Sequence, residues 1–216
     1  MCAVMISMCS CTGVDPNVEE KETKSGDYQV ETQNETTDVE LDGFHAYGDG
    51  MTAPLTVKGV KVNVEDFALR SYELAFMLAQ PKFKSVNDIP VDALAQFAFA
   101  HLYYENLYEI PNKMTDYCQT TQKKLNDELK KHFGENKVDL TKSELYNKSK
   151  KKFEMWMPEY GQNIYYKVDA ANVEGDKAVI ITTFYNELKK TTKLGRTTIT
   201  VKIKDGKPVI AELSAD

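Results

Sequence analysis

Cysteine, histidine and tryptophan are scarce in this chain of 216 residues, with four Cys, three His and a single Trp. Cys2, Cys9 and Cys11 crowd the start, which leaves Cys118 alone in the rest of the chain. A lone thiol excludes an internal disulfide there. His45, His101 and His132 are scattered and make no zinc-ligand spacing with the cysteines, so neither a metal nor a cofactor is expected. No apolar run approaches the ~20 residues that a membrane-spanning helix needs. A Gly-rich phosphate loop, a Gly-x-Ser-x-Gly elbow and a His-Glu-x-x-His pair are all missing, and no catalytic residue is assigned. Positive charge is not in excess either, with 27 Lys and Arg against 33 Asp and Glu and a net charge of −6. A nucleic-acid partner needs a clustered basic surface, so none is expected.

What is present is unevenly placed. Residues 14–50 hold 11 acids and two lysines, whereas residues 51–216 hold 22 acids against 25 bases. The acidity belongs to the leading segment. That segment is rich in Glu, Asp, Thr, Asn and Gly and poor in large apolar residues, so it cannot bury enough surface to offset its ordering entropy. It is expected to be a disordered, charge-extended spacer. Residues 51–216 are expected to form one domain.

Residues 1–13 carry no charged side chain, and Met1–Met8 is largely apolar. The run ends in Cys9-Ser10-Cys11-Thr12-Gly13. A short apolar stretch closing on a small residue and then Cys resembles the end of a bacterial lipoprotein signal. The resemblance implies that Cys11, preceded by Ser10, is the lipidated first residue of the mature protein. It also implies a membrane contact through the lipid and a location on the extracytoplasmic face of the cell membrane.

In residues 51–216 helical patterns come first and strand patterns last. Asn63 reads as an N-cap ahead of Glu65 and Asp66, opening a helix that runs to about Ala79. A second helix starts near Pro90. From Ala93 to Tyr104 it is apolar almost all round, so it should be the central helix, lying against the sheet. A third helix is expected from Thr115 to Phe133, with Cys118, Leu125 and Leu129 on its inner stripe and Gly134 ending it. Thr141-Lys142-Ser143-Glu144 reads as a capping box opening a short fourth helix. Phe153, Met155, Trp156 and Met157 form an apolar knot expected to pack under the sheet.

The strands are expected at Asn163–Val173, Lys177–Glu187, Arg196–Lys204 and Pro208–Leu213. In the third of these, Ile199, Val201 and Ile203 alternate with Thr198, Thr200 and Lys202, which gives one dry and one wet face. Glu174-Gly175-Asp176 and Asp205-Gly206-Lys207 supply tight turns. The fold class is therefore α+β, with N-terminal helices packed on a C-terminal four-stranded antiparallel meander sheet. This order, with its alternating strand, Asp-Gly turn and short apolar strand at the end, resembles the nuclear-transport-factor-2-like superfamily, the cystatin-like α+β cone. The resemblance implies helices lying in the concave side of a curved sheet.

Enzymes of that superfamily place an acid or base and a Tyr donor inside the cone. His101, with Tyr104 close in sequence and Tyr165 and Tyr185 on the strands, is the corresponding candidate pocket here, against the plainer reading of a core histidine satisfied by its neighbours. Two functions are compatible with the sequence. One is a surface-tethered, non-enzymatic binding or scaffold module for a protein or small-molecule ligand. The other is a small-molecule pocket in the cone with weak acid–base catalysis. A concave face filled by Phe97, Phe99 and Trp156 favours the first. An open cavity in which His101 meets two Tyr hydroxyls favours the second.

Overall fold

Antiparallel hairpins and a helix cap set the local frame of the computed structural model, which describes residues 37–41, 44–104, 117–134, 138–156 and 163–216. The chain enters through strands β1 (Thr37–Leu41) and β2 (Phe44–Gly50). A small hairpin follows, β3 (Leu55–Val57) and β4 (Val60–Val62). Asn63 then caps helix α1 (Val64–Tyr72), its Oδ1 accepting from the Glu65 and Asp66 N–H groups at 3.1 and 3.4 Å. The helix continues as a π-helical turn, Glu73–Met77, so the helical run is close to the expected length. Ala79, at φ 53, ends it just before Pro81.

Next come β5 (Lys82–Phe83) and α2 (Val91–Tyr104). After them β6 (Tyr117–Thr120) leads into α3 (Gln122–Phe133), capped by the Thr121 hydroxyl. The start of the expected third helix is thus a strand, because residues 117–120 pair with β8 (Lys152–Trp156), which also pairs with β7 (Tyr146–Asn147). The expected fourth helix is a single 3₁₀ turn, Leu140–Lys142, which Asp139 caps in place of Thr141. The apolar knot is divided: Phe153, on this separate small sheet, is fully buried in the same core cluster as the inner residues of the large sheet, Met155 packs against that cluster, and Trp156 is 67% exposed. Met157 lies outside the described residues.

The C-terminal meander matches the period-2 reading closely: β9 (Asn163–Glu174), β10 (Lys177–Tyr185), β11 (Lys193–Lys204) and β12 (Lys207–Ala215), all antiparallel. Asp205 and Gly206 both adopt positive φ, 50° and 73°, as the two-residue turn between β11 and β12 requires. The sheet is not four-stranded, however. It has seven strands in the order β1-β2-β9-β10-β11-β12-β5, with β2 running parallel to β9. Pairing with the open edge of β9 overrides a polar local composition. Thr37–Leu41 and Phe44–Gly50 are therefore strands within the stretch read as a spacer, and Ala46 is fully buried. Residues 1–36, including Cys11, lie outside the described residues.

One face of the sheet carries the helices. Ile164, Tyr166 and Val168 of β9, Ala178, Ile180 and Phe184 of β10, and Ile199 and Val201 of β11 are all buried there. Thr200, expected to be wet, is only 7% exposed, beside the irregularity that shifts the β11–β12 register between Thr200 and Val201. Helix α1 crosses β9–β11 and α3 lies along β12. The apolar helix α2 is indeed sealed, with Leu94, Phe97, Ala98, Phe99 and Ala100 at 0% exposure. Its near neighbours are α3 and the turn at 140–142, however, so the helices resting on the sheet are α1 and α3.

Candidate functional site

Where α1, α2 and α3 meet, the core stops being apolar. Arg70, Glu73, His101 and Glu128 are each at most 5% exposed. Each is placed by helical spacing. Arg70 and Glu73 lie one turn apart across the junction of α1 with its π-helical turn. His101 comes from the last turn of α2, and Glu128 and His132 are one turn apart on α3.

The contacts form a chain. The Arg70 guanidinium donates to Glu73 Oε2 at 3.3 Å and to Asp66 Oδ1 at 3.4 Å. His101 Nε2 lies 3.0 Å from the same Glu73 oxygen and 3.2 Å from Arg70 Nη1. The His101 and His132 rings sit 4.4 Å apart, and Phe97 packs on both, at 4.4 and 5.0 Å. His132 Nε2 contacts Glu128 Oε1 at 3.1 Å, and Lys131 Nζ reaches Glu128 Oε2 at 2.7 Å.

Burial alone would raise the Glu73 carboxyl, but the charge and hydrogen bond of His101, with Arg70 and His132 behind them, more than offset it and hold Glu73 below the ordinary carboxylate value. Glu128 behaves alike, its burial outweighed by hydrogen bonds from His132 and Lys131. Burial wins at His132, helped by the positive charges of His101 and Arg70, and pushes its imidazole below the usual value. The cluster therefore holds two ionised buried carboxylates beside a neutral imidazole at neutral pH. One ring nitrogen of each of His101 and His132 and one Glu128 oxygen all lie within 4.8 Å of one another.

The expected pocket is not assembled. His101 points into this cluster. Tyr165 stacks on Tyr47 at 5.1 Å, and its cross-strand neighbour is Tyr185. On β9 and β10 the buried neighbours Tyr166 and Phe184 face the helices, so Tyr165 and Tyr185, both half-buried, take the opposite face of the sheet from His101. The Tyr104 side chain lies outside the described residues. Sequence reading did not assign Arg70, Glu73 and Glu128 to a site, and it set His132 aside as a scattered histidine. The available signal was Glu128, which sits one residue before Leu129 and three after Leu125 on the stripe that α3 turns inward.

Two adjoining grooves open beside α3. One, of about 400 Å³, is floored by Phe133, Ile203, Val209 and Ile210 and edged by Lys84 and Lys202. The other, of about 470 Å³, is edged by Lys130, Lys131 and Lys207, and Lys204 borders both.

Comparisons of the chain with protein-family models, with curated proteins and with solved structures found no match. Among the described residues no helix is long and apolar enough to cross a membrane.

Proposed function

We propose that this protein is a non-enzymatic binding module, tethered by a lipid on Cys11 to the extracytoplasmic face of a cell membrane. The observation that supports it is the closed interior on the helical side of the sheet. Phe97 and Phe99 are fully buried, although Trp156, expected to join them, is 67% exposed, and His101 is held by Glu73 instead of facing a cavity. A general acid or base must reach its substrate within hydrogen-bond distance, directly or through one water. His101 has no such approach from solvent at 4% exposure, and the tyrosines that would complete a cone-type site point the other way.

Binding then belongs to the surface, and the lysine-edged grooves beside α3 are concavities that could serve it. Their size falls within the ~300–1,000 Å³ of small-ligand pockets, and the apolar floor of the first together with the lysines of the second, which outnumber its Asp127 and Asp205, suits an anionic amphiphile. That specific observation favours a small-molecule version of the binding reading, relocated from the cone interior to the flank of α3.

The tether is tested by expressing the full chain with its own start in a bacterium that lipidates and extracting with a phase-separating detergent. The protein is expected in the detergent phase, with Cys11→Ala moving it to the aqueous phase. A wild-type protein that stays aqueous with Met1 intact overturns the tether. The binding half is tested separately by titrating the protein with a dodecyl-chain anionic amphiphile below its micelle concentration. Saturable binding that is lost in a Lys130→Glu, Lys207→Glu double variant supports the groove, and binding unchanged by that variant removes it.

A further inference from the structure

We propose that His101, Glu128 and His132 form a binding site for one divalent transition-metal cation of the zinc type, set in the seam between α2 and α3. The inference concerns the helical core and does not depend on the tether or on the grooves. The donor set is two imidazoles and a carboxylate, which suits zinc and its neighbours and does not suit Mg²⁺ or Ca²⁺. The three donor atoms already lie within 4.8 Å of one another. Tetrahedral zinc bonds of ~2.0–2.1 Å set donors roughly 3.3 Å apart, a contraction that small side-chain rotations supply.

Four further observations agree. Glu128 and His132 are one turn apart on α3, so a single rigid helix presents two of the three donors. His132 is a neutral imidazole at neutral pH, which is the form that ligates. His101 Nε2 is held by the Glu73 carboxylate at 3.0 Å, the kind of outer hydrogen bond that orients ligating histidines. The charge also allows it. Asp66, Glu73 and Glu128 face Arg70, Lys131 and the positive charge of His101, and because a ligating imidazole must be neutral His101 gives up its proton as the metal enters, which leaves one negative charge in excess. Lys131, with half its side chain exposed, can turn to solvent and release Glu128 Oε2, so an incoming dication meets a net charge of −2. The His132 side chain is 17% exposed and Glu128 only 1%, so the way in runs past His132 on the outer side of α3.

The experiment uses the full chain, stripped of metal by chelator dialysis and titrated with Zn²⁺. Bound metal is read by equilibrium dialysis and thermal midpoint by circular dichroism. Wild type is expected to take up one Zn²⁺ per chain, with a midpoint that rises as zinc is added. His132→Asn and Glu128→Gln should each weaken uptake about tenfold or more and abolish the rise, since loss of even an outer-shell partner costs about 10- to 100-fold. Lys131→Gln and His45→Asn should keep both. Should the two ligand variants fail to fold, the wild-type histidine ring signals in a nitrogen-15 spectrum decide. Zinc is expected to shift the rings of His101 and His132 and leave that of His45. The proposal is overturned if zinc leaves the midpoint and these rings unmoved, or if folded His132→Asn and Glu128→Gln bind zinc as wild type does.

Discussion

Helix α1 is gripped from two sides by two different kinds of core. Toward the sheet it meets carbon. Tyr72 packs on Phe184 at 5.1 Å, Phe76 on the same ring at 5.8 Å, and Leu69, Leu74, Ile180 and Ile199 fill the space around them. A side-chain polar link across that side is the 2.6 Å hydrogen bond between Ser71 and Thr197. Toward α2 and α3 it meets charge, through Arg70 and Glu73 against His101. An apolar contact is indifferent to protons, and its strength follows area. A buried ion pair barely recovers its own desolvation when intact, yet breaking it strands a charge in a dry place. The first side should therefore carry most of the net stability. The second should carry most of the sensitivity to mutation and to acid.

The largest expected effect is at Glu73. Glu73→Ala replaces the most deeply buried carboxylate beside Arg70 with a methyl group, leaving the partly exposed Asp66 beside it, and should cost about 3–5 kcal/mol in urea unfolding. On the other side, Ile180→Ala removes buried methyl groups against the sheet and should cost about 2–5 kcal/mol. The two losses overlap in size at neutral pH, so size alone does not tell the cores apart, but pH does. The folded-state values of Glu73 and Glu128 lie below the ordinary 4.5, so the unfolded chain takes up protons first as pH falls, and their stabilisation, full above about 4.5, is lost on further acidification. His132 lies below its ordinary 6.5, so the folded state also loses ground as pH falls through that value, because only the unfolded chain accepts the proton. All three shifts have the same sign, and wild-type stability should drop steadily from pH 7 to pH 4. The groups facing one another across the seam are Asp66, Arg70, Glu73, His101, Glu128, Lys131 and His132. Ile180→Ala should run parallel to wild type across this range, while Glu73→Ala should show a shallower slope. Parallel curves for all three proteins would sink the distinction between the two cores.

The same contrast explains what could be read from the sequence. The meander was legible because a half-buried antiparallel strand writes its environment into alternate residues, as Ile199 and Val201 do, and because its turns carry their own glycines. Asn63 was legible for a similar reason, since a cap satisfies the N–H groups two and three residues on. The strands β1, β2 and β5 were not, because an added edge strand is specified by the edge that receives it. Residues 117–120 hid in the same way, with β8 as their partner. For the candidate site, the burial of His101 was legible in the apolar run around it. Its partners were not, since Glu73 and His132 reach it only through the crossing of three helices, which no local period records. Glu128 was half legible, as a carboxylate on the stripe that Leu125 and Leu129 turn inward.

A smaller effect sharpens the boundary of the apolar side. Gly48 on β2 pairs with Tyr166 on β9, and a Cβ there would stand 2.2 Å from the Tyr166 ring. Tyr166 is fully buried, so its ring has little room to retreat. Gly48→Ala should cost about 1–3 kcal/mol by overpacking. Gly48→Ala combined with Tyr166→Phe should still be destabilised, since the ring remains. Combination with Tyr166→Leu should return part of the loss. A neutral Gly48→Ala would show that β2 does not dock on β9 as described, and would reopen the reading of residues 37–50 as a spacer.

The smallest effect isolates burial as the cause of the seam's sensitivity, because α3 carries two lysine–carboxylate pairs at helical spacing. Lys123 pairs with Asp127 at 2.6 Å, with side-chain exposures of 85% and 58%. Lys131 pairs with Glu128 at 2.7 Å, and there the carboxylate is 1% exposed. The distances are nearly equal, so bond length cannot separate them. Solvent screens the first pair on both partners, and such pairs are worth about 0.2–1 kcal/mol at most. Lys123→Ala should therefore change stability by no more than that, and less still as salt is raised, since exposed pairs are screened. Lys131→Ala should cost more, because the charge left behind is the buried Glu128 carboxylate, which keeps its contact with His132 but loses that with Lys131. It should also raise the Glu128 carboxyl, which then takes up its proton at higher pH, and move acid unfolding to higher pH, a change that Lys123→Ala should not make. Urea midpoints for the two variants at pH 7 and pH 5, in low and high salt, decide the matter. Equal losses with equal salt dependence would mean that the burial of Glu128 contributes nothing, and the charged seam would then be an ordinary wet surface folded inward.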